Sequence, residues 1–206
     1  MVHPAINDPP TTAEAFMAWY DEQPDGRRYE LFNGQIYEMQ GEQATHARAK
    51  LQITNALAAA ISSRNLPCEA FVDSLGIRVD ETNVFEPDVF VHCGPPVAGD
   101  TVLIVNPVIV VEVLSPASQR VDVVRKFNGY FRNPAVRHYV IVDSVEGSLV
   151  HHRRTPDGRI ESSHHAAGRL TLDPPGLELD LEALFEGGFG GQPAAVAYPC
   201  FRLALA

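Results

Sequence analysis

The chain has 206 residues, is 45% apolar and 20% charged, and carries a formal net charge of −10, a balance typical of a soluble globular domain with a sizeable core. It has no segment suited to crossing a bilayer, since its most apolar run, Val102 to Leu114, is short and interrupted by Asn106, Pro107 and Glu112. The acidic excess argues against indiscriminate nucleic-acid binding, which depends on neutralising phosphates with Lys and Arg.

A Pro-rich arm is expected over residues 1–11, a folded domain over 12–186, and a Gly-rich and then apolar tail over 187–206. Thr11 to Tyr20 predicts a short helix, with Thr11 and Glu14 at capping-box spacing and Ala15, Phe16 and Trp19 as its apolar stripe. Arg28 to Phe32 and Gln35 to Met39 flank Asn33-Gly34, the strongest short hairpin signal. From Gln43 to Ser62 the apolar residues recur at helical spacing, which predicts a long amphipathic helix. Cys68 to Val72, Leu75 to Val79 and Asp88 to His92 read as short strands. Val108 to Leu114 (VIVVEVL) is a continuous apolar strand of the kind covered on both faces. A helix over Ser118 to Arg132 and a buried strand over Val136 to Val142 complete a strand–helix–strand unit with an expected right-handed crossover. Leu149 to Arg153 and Arg159 to His164 predict an outer hairpin turned at Pro156-Asp157-Gly158, and Leu177 to Phe185 a closing strand end and short helix. Together these elements predict an α/β (α+β) fold, a mixed central sheet flanked by helices.

Cys68, Cys93 and Cys200 are widely separated and form no CxxC pair, so isolated thiols are expected rather than a disulfide or structural zinc. The pairs His151-His152 and His164-His165 are read as surface residues, because neighbours on a strand point to opposite faces. Arg48, Arg64, Arg120, Arg125 and Lys126 are candidates for a local basic cluster. Only two of the basic residues are lysines, Lys50 and Lys126. The N-terminus lacks a basic start followed by an apolar stretch, so a cytoplasmic protein is expected.

Glu112 interrupts the most apolar strand, and an ionised group buried there needs a partner. Asp88, after Glu86-Pro87, opens a second apolar run, Val-Phe-Val-His. Two carboxylates on neighbouring strands, with the Val113 carbonyl beside them, are a donor set for a hard cation such as Mg²⁺ or Mn²⁺. Such a cation serves phosphodiester hydrolysis by polarising the phosphate and acidifying a water. A nearby lysine would steady the developing charge. No GxSxG, Walker, HExxH or GxGxxG motif occurs.

EPDVF (Glu86 to Phe90) and VEVLSP (Val111 to Pro116) resemble the two halves of the PD-(D/E)XK nuclease motif. RRYELFNGQIYEM, EQATHARAKLQI, EPDVFV, VIVVEVLSPASQRVDVVRKFNGYFRNPAVRHYVIVD and GLELDLEALF more closely resemble a bacterial family of uncharacterised restriction-endonuclease-like proteins, the Uma-type family. The resemblance implies a restriction-endonuclease-like fold and a Mg²⁺- or Mn²⁺-dependent endonuclease acting on nucleic acid, with DNA the expected substrate. It assigns Asp88, Glu112 and Val113 to the metal, and Lys126 to the lysine role, because Leu114 stands two residues after Glu112 where the superfamily motif has lysine. Glu30 matches an N-terminal acid of the site. It is read as a ligand, a contact through water, or a partner of Arg27 or Arg28. His46 matches a family histidine, read as a phosphate contact or as a capping or surface residue, and Gln119, Asp122 and Tyr130 flank Lys126 as supporting residues. A homodimer is expected, since double-strand cleavage uses two sites. Two other readings stay open: a non-catalytic binding protein that keeps the fold, and a metal-dependent hydrolase of another substrate.

Overall fold

The computed structural model describes residues 9–23, 26–39, 41–73, 75–114, 120–186 and 188–189, without the side chains of 120–123. Most of the predicted arm and tail, and Gln119, lie outside that set. No helix among the described residues is long and apolar enough to cross a membrane.

Helix α1 (Ala13–Asp21) is capped by Thr12, one residue later than the capping-box spacing suggests, with its hydroxyl accepting from Ala15 N–H at 3.3 Å. The helix buries Ala13 and Phe16 against Leu31 and Val84. Strands β1 (Tyr29–Phe32) and β2 (Gln35–Glu38) form the expected hairpin. Asn33 and Gly34 both take positive φ, 48° and 70°, the conformation a two-residue type I′ turn requires. Helix α2 (Ala44–Ser63) follows, then β3 (Cys68–Val72), β4 (Gly76–Asp80), β5 (Asn83–Phe85) and β6 (Val89–Cys93). A short β7 (Leu103–Ile104) precedes β8 (Pro107–Leu114), helix α3 (Arg120–Tyr130) and β9 (His138–Asp143). The chain continues through β10 (Ser148–Arg154), β11 (Ile160–His165), β12 (Arg169–Leu172), β13 (Leu177–Asp180) and α4 (Leu181–Phe185).

These strands form a six-stranded sheet, β11-β10-β9-β8-β6-β3, a five-stranded sheet, β2-β1-β5-β4-β7, and the β12-β13 pair. Within the larger sheet only β8 and β9 run parallel, as the strand–helix–strand pattern predicts; β6 lies antiparallel to β8. Period-two alternation decides which face each residue takes. Val89, Val91, Ile109, Val111 and Val113 pack with Ala49, Ile53 and Leu57 of α2 in one core layer. Phe90, Val110 and Leu114 pack on the other side with Phe85, Tyr130 and Tyr139. Glu112 falls in step with Val110 and Leu114, so the alternation that builds the core aims its carboxyl at α3.

Helix α3 approaches the smaller sheet closely at Gly129, where an added Cβ would lie 2.2 Å from the ring of Phe85, itself 1% exposed. Gly129→Ala is therefore expected to overpack this contact and cost about 1–3 kcal/mol. Urea denaturation would show that cost as a lower midpoint with an unchanged slope.

Two expectations are corrected. Cys68 and Cys93 are not isolated thiols: they face each other directly across β3 and β6 and are joined by a disulfide. Their separation of 25 in sequence hides a pairing that only strand register creates. Second, His151 is not a surface residue. Its side chain is buried, and its Nε2 lies 2.9 Å from His138 Nδ1, while His138 Nε2 lies 2.8 Å from the Pro174 carbonyl. The carbonyl can only accept, so His138 carries its proton on Nε2 and accepts from His151 at Nδ1.

Burial holds His138 down at about 4 and His151 at about 3. Both folded values lie below the ordinary histidine value of about 6.5. Above that pH the rings cost nothing, and as pH falls below it the unfolded chain takes up protons that the folded chain refuses. We expect each ring to withdraw about 2 kcal/mol of stability between pH 7.5 and pH 5. In paired urea titrations, His151→Phe is expected to lose about that much less than the parent protein over the interval.

Candidate metal and catalytic site

The β6–β8 pairing brings the candidate carboxylates together. Val89 pairs with Val111 in the antiparallel register, so Asp88 stands at the strand opening beside Glu112 and Val113. Asp88 Oδ2 accepts from Val113 N–H at 2.7 Å. From the α2 side, His46 places Nε2 2.8 Å from the Val113 carbonyl oxygen and 3.4 Å from Asp88 Oδ2. His46 is neither a helix cap nor a surface residue: Gln43 occupies the cap position, and the imidazole is buried.

From the α3 side, Lys126 and Tyr130 lie four residues apart and therefore on one face of the helix. Lys126 Nζ and Tyr130 Oη both donate to Glu112 Oε1, at 3.0 and 2.7 Å. Lys126 Nζ also lies 3.0 Å from Glu30 Oε1, and that oxygen accepts from the Glu86 N–H at 2.9 Å. Glu30 therefore turns to Lys126 rather than to Arg27 or Arg28. Asp88, Glu112, Val113, Lys126, Glu30, Tyr130 and His46 thus assemble in one place.

Among the described side chains the basic cluster does not assemble as expected; that of Arg120 lies outside them. Arg48 and Arg64 both follow the axis of α2, about 24 Å apart at 1.5 Å per residue. Arg64 pairs with Glu178 at 2.6 Å, and Arg125 stacks on Phe32 and Tyr37, each ring centre 4.6 Å away.

The second lysine is the feature sequence reasoning passed over. Lys50 is 2% exposed. Its ammonium bonds Glu42, reaches Asp73 Oδ2 at 2.7 Å, and stands 3.8 Å from Asp88 Oδ1. Arg28, just ahead of β1, ties Glu42 and Asp73 together as well, at 3.1 and 3.2 Å, and adds Glu86 at 2.7 Å. The signal is the spacing of Glu42, His46 and Lys50, four residues apart, which puts an imidazole and a base in line along one face of α2 with an acid just ahead of its start.

The electrostatics follow from this crowding. Burial pushes the Glu112 carboxyl up to about 8; Lys126 opposes the rise, and Asp88 and Glu30 add to it. Burial also pushes Asp88 upward, but the hydrogen bond and charge of His46, the Val113 N–H and Lys126 outweigh it, and Asp88 ends below its ordinary value. The Asp88 carboxylate in turn holds the His46 imidazolium up to about 9 against burial. Burial lowers Lys126, yet Glu112 and Glu30 leave it well above the ordinary lysine value.

A divalent cation fits this donor set. Glu30 and Glu112 share the Lys126 ammonium in a buried space, and burial first, then the charges of Asp88 and Glu30, leave Glu112 with a raised affinity for a proton. The separations of 2.8 and 3.4 Å between His46 Nε2, the Val113 oxygen and Asp88 Oδ2 bracket the roughly 3 Å edge of an octahedron with bonds of about 2.1 Å. Glu42, His46 and Asp88 form the one group of three acidic or imidazole side chains among the described residues whose ligand atoms all lie within 4.8 Å of one another.

Known proteins resemble this chain in sequence and in fold. A protein of Synechocystis sp., described as uncharacterized, is 28% identical over 186 residues, covering 89% of this chain and 96% of that protein. A crystal structure from Anabaena variabilis, titled a "putative nuclease belonging to DUF820", superposes with a TM-score of 0.64 at 15% identity, covering 82% of this chain and 95% of that one. That likeness establishes the restriction-endonuclease-like α+β fold. The profile of the Uma2 family, described as "Putative restriction endonuclease", matches residues 13–189, and the chain belongs to that family.

Proposed function

We propose that this protein is a divalent-metal-dependent endonuclease that hydrolyses DNA phosphodiester bonds. The observation that carries the reading is the convergence of Glu112 and Glu30 on the buried Lys126 ammonium, next to Asp88 with the His46 imidazole and the Val113 backbone against it. Asp88, Glu112, His46 and the Val113 oxygen would hold the ion. A bound Mg²⁺ or Mn²⁺ supplies phosphate polarisation and a water acidified for attack. An imidazole in the set favours Mn²⁺ over Mg²⁺ when both are offered, because nitrogen is a softer donor than oxygen.

The chain's own residues do the positioning. Lys126 supplies a compact ammonium that can donate to a phosphate oxygen or a water, a task the planar guanidinium of arginine fills poorly. It reaches the sheet face that Glu112 shares with Leu114, the face on which the superfamily motif carries its lysine. Tyr130 fixes one Glu112 oxygen at 2.7 Å and leaves the other for a ligand. Glu30 holds Lys126 from the far side. The −10 net charge predicts that cleavage depends only weakly on salt, because few phosphates are neutralised outside the site and few counterions are released.

The test is incubation of purified protein with supercoiled DNA or a structured RNA, with Mg²⁺, Mn²⁺ or EDTA. The expected result is nicking of DNA, fastest with Mn²⁺ and absent in EDTA. DNA binding without turnover under every metal condition would favour a non-catalytic binding protein, and cleavage of RNA alone would reassign the substrate.

A further inference from the structure

The imidazole of His46 has two nitrogens in different settings. Nε2 faces the Val113 oxygen at 2.8 Å and Asp88 Oδ2 at 3.4 Å. Nδ1 is buried, has no hydrogen-bond partner, and lies 3.4 Å from Glu42 Oε2 without the alignment of a bond. Glu42 precedes α2 and is only partly covered, so by itself it would swing freely. It does not, because Lys50 and Arg28 both hold it. Those two cations also hold Asp73, and Arg28 holds Glu86, two residues before Asp88. The backbone joins in: Asp73 N–H donates to the Asp88 carbonyl at 3.1 Å, with Asp73 itself at a positive φ of 50°.

We propose that Glu42, locked by Lys50 and Arg28, is a positioning residue that accepts a hydrogen bond from Nδ1–H of His46 and so presents Nε2 to the ion beside Asp88. The inference rests on the metal-dependent reading above. A histidine that binds a metal through one nitrogen must be neutral, and its remaining proton then lies on the other nitrogen. A carboxylate there fixes both tautomer and ring angle, and its loss typically weakens metal binding about 10- to 100-fold. Lys50 and Arg28 matter because an untethered carboxylate would give up this entropy-costly geometry to water. Lys50 and Arg28 already engage the Glu42 carboxylate, so the role assigned to it is to orient rather than to coordinate.

The experiment is Mn²⁺ binding to the full chain, followed by calorimetry and by the ¹⁴N modulation in pulsed EPR that reports a coordinated imidazole. Wild-type protein is expected to show one Mn²⁺ site with ¹⁴N modulation that His46→Ala removes. Glu42→Ala, with its fold checked by circular dichroism, is expected to bind about 10- to 100-fold more weakly and to lose or broaden the ¹⁴N signal. Glu42→Gln, whose amide oxygen still accepts from Nδ1–H, is expected to fall between the two. If Glu42→Ala does not fold, the double variant Lys50→Met/Arg28→Met carries the test, because it removes both cations that hold the carboxylate without deleting it; weakened binding with an altered ¹⁴N signal supports the proposal, and wild-type values overturn it. Wild-type affinity and an unchanged ¹⁴N signal in Glu42→Ala overturn the positioning role alone. Absence of ¹⁴N modulation in the wild type, or of Mn²⁺ binding altogether, overturns it together with the His46 ligand on which it depends.

Discussion

Glu112→Gln is expected to abolish DNA cleavage, by roughly 10³-fold or more, while leaving the metal-free protein as stable as its parent or more so. Glutamine keeps the shape of the side chain and can still accept from Lys126 and Tyr130, which stand 3.0 and 2.7 Å from Oε1. It removes the charge that burial, Asp88 and Glu30 already resist. A carboxyl whose folded value is about 8 binds its proton more tightly folded than unfolded. That preference stabilises the parent at low pH, and the benefit is lost as pH rises from about 4.5 toward 8. The gain of the glutamine variant over the parent should therefore be small at pH 5 and grow to a few kcal/mol at pH 8 to 9. Chemical denaturation at those pH values measures it, and a variant less stable than the parent at pH 8.5 would contradict the burial of an uncompensated carboxyl. Loss of activity with gain of stability is the signature of a residue kept for chemistry rather than for the fold.

Lys126→Met has the opposite effect on stability. It deletes the ammonium that lies 3.0 Å from both Glu30 and Glu112 and leaves two acids facing each other in a buried space. Breaking such a pair typically costs about 3–5 kcal/mol; protonation of Glu112, already favoured, reduces the loss toward the lower figure near neutral pH. Cleavage should fall below detection. Lys126→Arg is expected to restore much of the stability but little of the activity, because the guanidinium needs room that a side chain 8% exposed does not have. In the double variant Lys126→Met/Glu112→Gln the two stability changes should not add: it should be more stable than their sum, since removing Glu112's charge removes part of what Lys126 compensates. Strict additivity would mean that the two residues do not share one electrostatic site.

The parts of the site legible in sequence were those that break a local rule. Glu112 stands out because an acid in VIVVEVL conflicts with burial, and Asn33-Gly34 because its turn demands positive φ. The strand–helix–strand unit was legible for a similar reason, since apolar period two changes to a helical period at a marked turn. What could not be read depends on long-range register. The disulfide is created by Cys68 meeting Cys93 across β3 and β6, and the buried histidine pair by β9 lying beside β10. The short strands β5 and β7, of three and two residues, carry too little pattern to announce themselves. His46 was noticed only through family resemblance, and nothing local indicates that its ring meets a backbone carbonyl 67 residues away. Lys50 was counted as rare but not followed, although rarity in an arginine-rich chain marked both lysines equally. The structure places one lysine on each flank of the Asp88–Glu112 pair.

The most direct test of the metal-dependent nuclease site compares wild type, Asp88→Asn and Glu112→Gln, purified identically, for nicking of supercoiled plasmid in Mn²⁺. Nicking by the wild type alone, in proportion to enzyme and abolished by EDTA, is the expected result. Equal nicking by all three would place the activity elsewhere and contradict the assignment of Asp88 and Glu112 to the reacting centre.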